Sequence, residues 1–238
     1  MSRNTATIDG SKEKRRYLTL LAGTVALIGS LFIGIAAGAV PITLREVFEV
    51  IQGVTQSENY RIIYYIRMPR VICAALTGTN LALAGCILQG ILRNPLADPG
   101  IIGVTAGAGL AAMALMLISP ELTYFVPFAA FGGAVVASIV VFLLAWEHGI
   151  HPLRLILAGV AIAAFFGGGS AALSVFFSDR IQGTVNWMAG GFAGNSWRHV
   201  VMILPYSAVG IVATMCSYRK LNALQLGDDV AASLGLNV

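Results

Sequence analysis

Charged residues are scarce in this 238-residue chain, because Asp, Glu, Lys and Arg together make up only 11% of it. Soluble domains usually carry about 25% charged residues. Hydrophobic residues make up 57% of the chain, and its mean hydropathy is +0.81. The composition therefore excludes an ordinary soluble domain and predicts an integral membrane protein. The net charge of +4 comes from basic residues scattered between apolar runs, so it does not predict a nucleic-acid-binding surface.

Cysteine is also rare, and all three cysteines lie inside apolar runs, at Cys73, Cys86 and Cys216. The sequence has no Cys-x-x-Cys pair and no cluster of Cys and His, so it predicts neither a disulfide framework nor a metal site. We interpret these thiols as unreactive groups that face lipid or the protein core.

Ionisable side chains are missing from the interiors of the apolar runs. No pair of carboxylates, no nucleophile with a base and no cofactor motif can be assembled, so we expect neither an enzyme nor a bound cofactor. An ion-coupled transporter needs ionisable groups within the membrane, and that class is therefore disfavoured. Uphill transport by this chain would need energy from a partner protein.

Six apolar runs are long enough to cross a bilayer, which takes about 20 residues of helix. Backbone groups in lipid must form hydrogen bonds within their own segment, so the sequence predicts an all-α polytopic membrane protein. Residues 1–16 form a basic head, residues 17–220 the transmembrane domain and residues 221–238 a terminal segment. The predicted spans are 17–40, 71–92, 99–118, 122–146, 155–178 and 199–218.

Lys and Arg indicate orientation, because they are enriched in cytoplasmic segments. With the N-terminus in the cytoplasm, nine basic residues lie inside and six outside. The bias favours this orientation, and the cluster Lys12 to Arg16 contributes most of it. The residues on the outside are Arg45, Arg61, Arg67, Arg70, Arg180 and Arg198.

The connection after the first span contains a short amphipathic helix. Thr43 and Glu46 have the spacing of a capping box, with Thr43 as the N-cap. Leu44, Val47, Phe48 and Ile51 then share one apolar face, and Gly53 can end the helix. We expect this helix to lie on the outer surface.

The turn between the second and third spans is predicted to be tight and cytoplasmic. Asp98 can cap the third span, with Pro99 at its first position. A further short helix is expected around residues 182–188, after the fifth span. Small residues recur every four positions within the spans, for example Gly103, Gly107 and Ala111, and Gly133 and Ala137. This spacing is typical of closely packed membrane helices.

The terminal segment predicts a second amphipathic helix. Leu226, Val230 and Leu234 share a helical face, Asp228 and Asp229 lie in the first turn, where the helix dipole favours anions, and a glycine follows. Such a face can enter a groove on another protein or lie on the membrane. Membrane-surface helices usually carry Lys or Arg on their polar side, so the two acids favour a protein partner.

Several segments of the chain, taken in order, resemble the FecCD-type permease subunits of ABC importers for iron–siderophore, haem or cobalamin. The resemblance covers nearly the whole chain after the basic head. The segments are Arg67-Met-Pro-Arg70, Ala84–Gly90, Arg93–Gly103, Leu157–Val160, Trp187–Phe192 and Leu226–Asp228 with Ala231, Leu234 and Gly235.

The resemblance implies one half of a homodimeric or heterodimeric permease in the bacterial cell membrane. Two cytoplasmic ATPases would drive it, and an extracytoplasmic binding protein would deliver the cargo. It also implies that Arg67 and Arg70 receive acidic residues of the binding protein. The loop His151, Pro152, Leu153 corresponds to a cytoplasmic gate region. The implied ATPase-coupling residues are Leu226, Gly227, Asp228, Val230, Ala231, Leu234 and Gly235.

Members of this family have ten spans per half and continue beyond the point that matches Val238. We therefore expect an incomplete sequence or a truncated gene. The chain is expected to insert with both termini cytoplasmic and not to support uptake by itself. The alternative functions are an ATP-independent channel or facilitator, which would need neither the coupling helix nor the outer arginines, and a non-transporting fragment.

Overall fold

In the computed structural model of the chain, residues 4–56, 58–147 and 152–235 are described, apart from the side chains of residues 4–11, 228 and 229. The described residues form helices and no β-strand, which confirms the predicted all-α polytopic fold. The α-helices are α1 (Asn4–Ala36), α2 (Leu44–Ile51), α3 (Met68–Leu92), α4 (Val104–Ile118), α5 (Val126–Ala145), α6 (Pro152–Phe176), α7 (Ile181–Met188), α8 (Trp197–Gln225) and α9 (Asp228–Ser233).

Within the described ranges, four short helical turns join these elements. A π-helix, Ile62–Arg67, leads directly into α3. The 3₁₀ turns are Pro99–Ile102, Pro120–Phe125 and Ser178–Arg180.

Five helical stretches in the described parts of the chain are long and apolar enough to cross a membrane: Lys12–Ala36, Ile62–Leu92, Pro120–Ala145, Pro152–Phe176 and Trp197–Gln225. The predicted third span, 99–118, is divided. The Asp98 carboxylate accepts a hydrogen bond of 2.6 Å from the amide of Gly100 and caps the 3₁₀ turn. Gly103 then adopts a left-handed conformation with φ of 75°, which separates this turn from α4.

Helix α4 has 15 residues, which corresponds to about 22 Å at 1.5 Å per residue. It is therefore shorter than the hydrocarbon core of a bilayer, which is about 30 Å thick.

Residues are grouped into two compact units. The first contains Met1–Gly78 and Phe192–Ser207. Its core consists of side chains from the end of α1, from α2 and from the π-helix. The buried members are Ile35, Ile42, Val47, Val50 and Ile63.

The second unit contains Thr79–Gly191 and Ala208–Val238. In it α4 packs against both α5 and α6. A Cβ atom on Gly107 would lie 2.6 Å from the Cβ of Ala137, and one on Gly103 would lie 2.9 Å from the carbonyl oxygen of Gly159. The predicted close packing through small residues is therefore confirmed, and bulk at these points would force the helices apart.

Candidate functional site

Arg67 is buried in the first unit, with 7% of its surface exposed. Its Nη1 donates hydrogen bonds to the carbonyls of Ile35 at 2.9 Å and Ala36 at 2.6 Å, and its Nη2 donates to the carbonyl of Val40 at 2.6 Å. The last carbonyls of a helix have no partner within that helix, and basic side chains can satisfy them. Arg67 therefore joins the end of α1 to the start of the second span.

The π-helix Ile62–Arg67 positions this guanidinium, because one π-turn changes the direction in which later side chains point. The guanidinium of Arg67 also lies close to Gly38. A Cβ on Gly38 would lie 2.6 Å from Nη2 of Arg67. The absence of a side chain at position 38 is what lets the guanidinium reach three carbonyls.

Arg70 follows on the same helix but is exposed, whereas Pro69 between them is fully buried. The family resemblance implies that Arg67 and Arg70 both receive acidic residues of a binding protein. In the first unit the Arg70 side chain is exposed, whereas the Arg67 guanidinium is occupied by three main-chain carbonyls.

An aromatic cluster lies beside the arginines. The rings of Tyr60 and Tyr64 stack at 5.4 Å, and Tyr65 meets Tyr64 edge-on at 5.0 Å. Trp197 lies 5.1 Å from Tyr64, and its Nε1 donates a 2.9 Å hydrogen bond to the Tyr64 carbonyl. Sequence analysis did not single out this cluster, although three tyrosines within six residues were a visible signal.

Burial raises the pKa of Tyr60, and the neighbouring Tyr65 and Tyr64 raise it further. The Tyr60 phenol, already neutral near pH 7, thus stays neutral to a higher pH than an ordinary tyrosine. A neutral ring with one polar atom suits a position where apolar and wet surroundings meet.

The capping box predicted at α2 is confirmed. The Thr43 hydroxyl accepts from the amide of Glu46, and the Glu46 carboxylate accepts from the amide of Thr43 at 2.7 Å. The same carboxylate accepts a 2.7 Å hydrogen bond from the Asn59 amide. Hydrogen bonds from the Thr43 backbone, the Thr43 hydroxyl and Asn59 lower the pKa of Glu46. Glu46 thus joins α2 to the chain just before the π-helix.

The terminal segment begins inside α8, which continues to Gln225. After a turn at Gly227, with φ of 115°, α9 covers Asp228–Ser233 and ends before Gly235, which has φ of 82°. Ala231 is fully buried. The side chain of Asp228 lies outside the described set.

The helix predicted to carry Leu226, Val230 and Leu234 on one face is interrupted, because Leu226 precedes the turn at Gly227 and α9 ends at Ser233. The three side chains therefore do not share one continuous helical face. All three are exposed, by 65% for Leu226, 43% for Val230 and 63% for Leu234.

Arg93 connects this segment to the turn after α3. Its backbone is left-handed, with φ of 49°, a conformation that is uncommon for a residue other than glycine. Its Nε donates a 2.9 Å hydrogen bond to the carbonyl of Leu224, at the end of α8. Nearby, a Cβ on Gly90 would lie 3.0 Å from Nε2 of Gln225. The carboxyl ends of α3 and α8 therefore meet, a contact that no sequence pattern had indicated.

The predicted gate residues fall at the start of α6. His151 lies outside the described residues, Pro152 is the first residue of α6, and Leu153 is 68% exposed. Arg154 forms an ion pair with Glu147 across the intervening connection. In the described ranges, no group of three or more His, Cys, Asp or Glu is arranged to hold a metal ion.

Comparison with known proteins identifies relatives over nearly the whole chain. The model of the FecCD transport family matches residues 26–238. The Fe(3+)-citrate import system permease protein YfmE of Bacillus subtilis is 37% identical over 227 residues, which cover 95% of this chain and 68% of that protein. The cobalamin import system permease protein BtuC of Halobacterium salinarum is 36% identical over 174 residues, covering 73% of this chain and 47% of that protein.

A solved structure agrees with the sequence comparisons. It is described as an inward-facing conformation of a metal-chelate type ABC transporter, and it matches with a TM-score of 0.78 at 26% identity. The match covers 93% of this chain and 69% of that chain.

Proposed function

Because the chain belongs to the FecCD transport family, we propose that it is the membrane-spanning permease subunit of an ABC importer for an iron complex. The observation that carries the proposal is the family match across residues 26–238, combined with an exposed apolar segment at Leu226–Leu234. The proposed cargo is an iron–siderophore complex, with haem and cobalamin as alternatives within the same class. The chain itself performs no reaction, and a separate ATPase supplies the energy.

The proposed topology has the N-terminus in the cytoplasm. The Arg93–Leu224 hydrogen bond puts the carboxyl ends of α3 and α8 at one membrane face, which requires an even number of crossings between them. The long helices α5, α6 and α8 supply three crossings, so the short helix α4 is counted as the fourth. The orientation itself is proposed from the basic residues near Lys12, which are favoured on the cytoplasmic side.

The proposed ATPase contact is made by the exposed side chains of Leu226, Val230 and Leu234. With the topology above, these apolar side chains lie in the cytoplasm, where a groove on a protein partner can cover them. Gly227 and Gly235 shape the segment at its two ends, and Ala231 fixes it to the second unit. Asp228 begins α9, where a carboxylate is favoured by the helix dipole.

The proposed contact with the binding protein is made by Arg70 on the outer side. A charged residue at an exposed rim mainly sets the association rate and the salt dependence of binding. Arg67 contributes by positioning, since its guanidinium is occupied by three main-chain carbonyls. We propose further that a second permease half completes the pathway and that His151, Pro152 and Leu153 belong to its cytoplasmic gate.

The test is uptake of radiolabelled iron into proteoliposomes that contain the full permease, its ATPase and its binding protein. We expect uptake that needs ATP and the loaded binding protein, and we expect competition by unlabelled ferric siderophore. Uptake without ATP would support a facilitator and overturn the proposal. ATP-dependent uptake of labelled cobalamin, without uptake of labelled iron, would retain the importer but reject the iron cargo.

A further inference from the structure

Helix α2 lies in the connection between two membrane spans, because α1 ends at Ala36 and the next span begins at Ile62. Such a connection lies at one surface of the bilayer, whichever face that is. An inference about α2 therefore does not depend on the orientation proposed above.

Helix α2 has three different sides, and contacts within the first unit account for two of them. Val47 and Val50 are 0% and 4% exposed and pack into its core. On another side, Arg45 and Glu49 form an ion pair at 2.9 Å, and the Arg45 side chain is 88% exposed. These two sides face protein and water.

The third side is apolar and uncovered. Leu44, Phe48 and Ile51 follow one another at i, i+4 and i+7, which places them on one stripe of a helix with 3.6 residues per turn. Their exposed fractions are 58%, 54% and 49%. The stripe lies between the protein-facing side and the charged side, so that α2 presents three different surfaces around its circumference.

We propose that the stripe Leu44–Phe48–Ile51 inserts into the boundary between lipid headgroups and acyl chains. A helix with one apolar and one charged side is stable in that position, with its apolar side chains about 5–10 Å below the surface. The aromatic cluster around Tyr64 supports this depth, since Tyr and Trp concentrate at the membrane–water interface. Tyr60 and Tyr64 pack against the same core as α2, and Tyr65 is 57% exposed beside them.

A second copy of the chain is the competing occupant of the stripe. Three half-exposed side chains offer roughly 300 Å², whereas a stable protein interface needs about 800 Å² from each partner. The charges that could specify a protein partner are also occupied, because Arg45 pairs with Glu49 and Glu46 bonds within its capping box and to Asn59. Insertion of the stripe into lipid requires neither a large contact area nor an unpaired charged side chain.

The experiment is a depth measurement by spin labelling of the full chain in liposomes of phosphatidylethanolamine and phosphatidylglycerol. Cys73, Cys86 and Cys216 are first replaced by Ala, and a single nitroxide is then attached through Phe48→Cys. The matched control carries the nitroxide at Arg45→Cys on the charged side of the same helix. Both positions are exposed, so that neither label disturbs the core. A thermal melt of each labelled protein verifies this.

We expect the nitroxide at position 48 to collide several-fold more often with oxygen than with a water-soluble nickel complex, and the one at position 45 to show the reverse. A label at position 48 that is reached mainly by nickel would show a helix in water and would overturn the proposal. A label at position 48 that is shielded from both reagents would show cover by protein, and would overturn it equally.

Discussion

A Cβ atom on Gly107 would lie 2.6 Å from the carbonyl oxygen of Gly133, so helices α4 and α5 meet backbone to backbone at this point. In a membrane, packing of this kind contributes much of helix association, because lipid is as apolar as the side chains it surrounds. The contact determines how closely the helices of the second unit approach one another.

Replacing Gly133 by Ala should separate these helices. The added methyl would overlap the carbonyl of Gly107 and would lie 2.6 Å from the Cβ of Ala111. We expect a loss of about 1–3 kcal/mol in stability, as for other overpacked sites, measured as a lower melting temperature in detergent. The control is Gly132→Ala on the same helix, where a new Cβ meets nothing within 4 Å. Equal melting temperatures for the two variants would contradict the close contact.

Arg67 and Arg70 should separate into a structural and a docking residue. Arg67→Met removes three hydrogen bonds to the chain at the end of α1, and we expect it to cost about 2–4 kcal/mol. Arg70→Met should leave the melting temperature unchanged but slow capture of the loaded binding protein, most visibly at low salt. Stopped-flow association and thermal melts measure the two effects. Slower capture without destabilisation in Arg67→Met would reverse the assignment.

Glu46 should make the fold of α2 pH-dependent. Its pKa in the folded protein lies below the ordinary value of 4.5, since Thr43 and Asn59 donate to the carboxylate. The stabilisation is therefore complete above the unfolded-state pKa and is lost as the pH falls through the lower folded-state value.

Hydrogen exchange of the α2 amides in Glu46→Gln, divided by exchange in the parent at the same pH, measures this effect. The ratio should be well above one near pH 7 and should fall toward one as the pH is lowered through the folded-state pKa of Glu46. The matched control is Glu49→Gln, which loses only an exposed ion pair and should give a ratio near one throughout the same pH range. A ratio for Glu46→Gln that does not change with pH would exclude the carboxylate as the cause.

The double variant Leu226→Asp, Leu234→Asp should release the ATPase. Each change would put a charge into an apolar contact, while both side chains are more than 60% exposed and do not support the fold. Co-purification of the ATPase with the tagged permease measures binding. Ala232→Asp, also exposed but on the opposite side of α9 from Val230, is the control and should retain the ATPase. Retention by all the variants would show that the coupling face lies elsewhere.

Local sequence patterns predicted the elements that depend on neighbouring residues. The capping box at Thr43, the Asp98 cap and the short helix α7 follow from rules that act over a few positions, and all three are present. The small-residue spacing also identified the surfaces that pack, because a close helix contact excludes side chains.

The features that sequence analysis missed involve distant residues or backbone geometry. The π-helix Ile62–Arg67 directs the Arg67 side chain into the protein. A helical pattern with the usual 3.6 residues per turn does not predict this direction. The predicted span 99–118 is interrupted by Gly103, whose left-handed φ separates the 3₁₀ turn from α4 and whose missing side chain lets the chain lie close to Gly159 in α6. Hydropathy alone reads this segment as one continuous helix, because glycine and isoleucine are both compatible with a span.

The long-range hydrogen bonds of Arg67 and Arg93 constrain which residues can change during evolution. Both side chains bond to main-chain carbonyls, and every amino acid presents the same carbonyl. Residues such as Ile35 and Leu224 can therefore change without breaking these links, while a change at either arginine breaks them. Methods that infer contacts from correlated substitutions look for paired changes at two positions. In these two links only the arginine is constrained, because the residue that supplies the carbonyl can vary. We expect the two links that join the ends of the spans in each unit to be invisible to such methods, however many related sequences are compared.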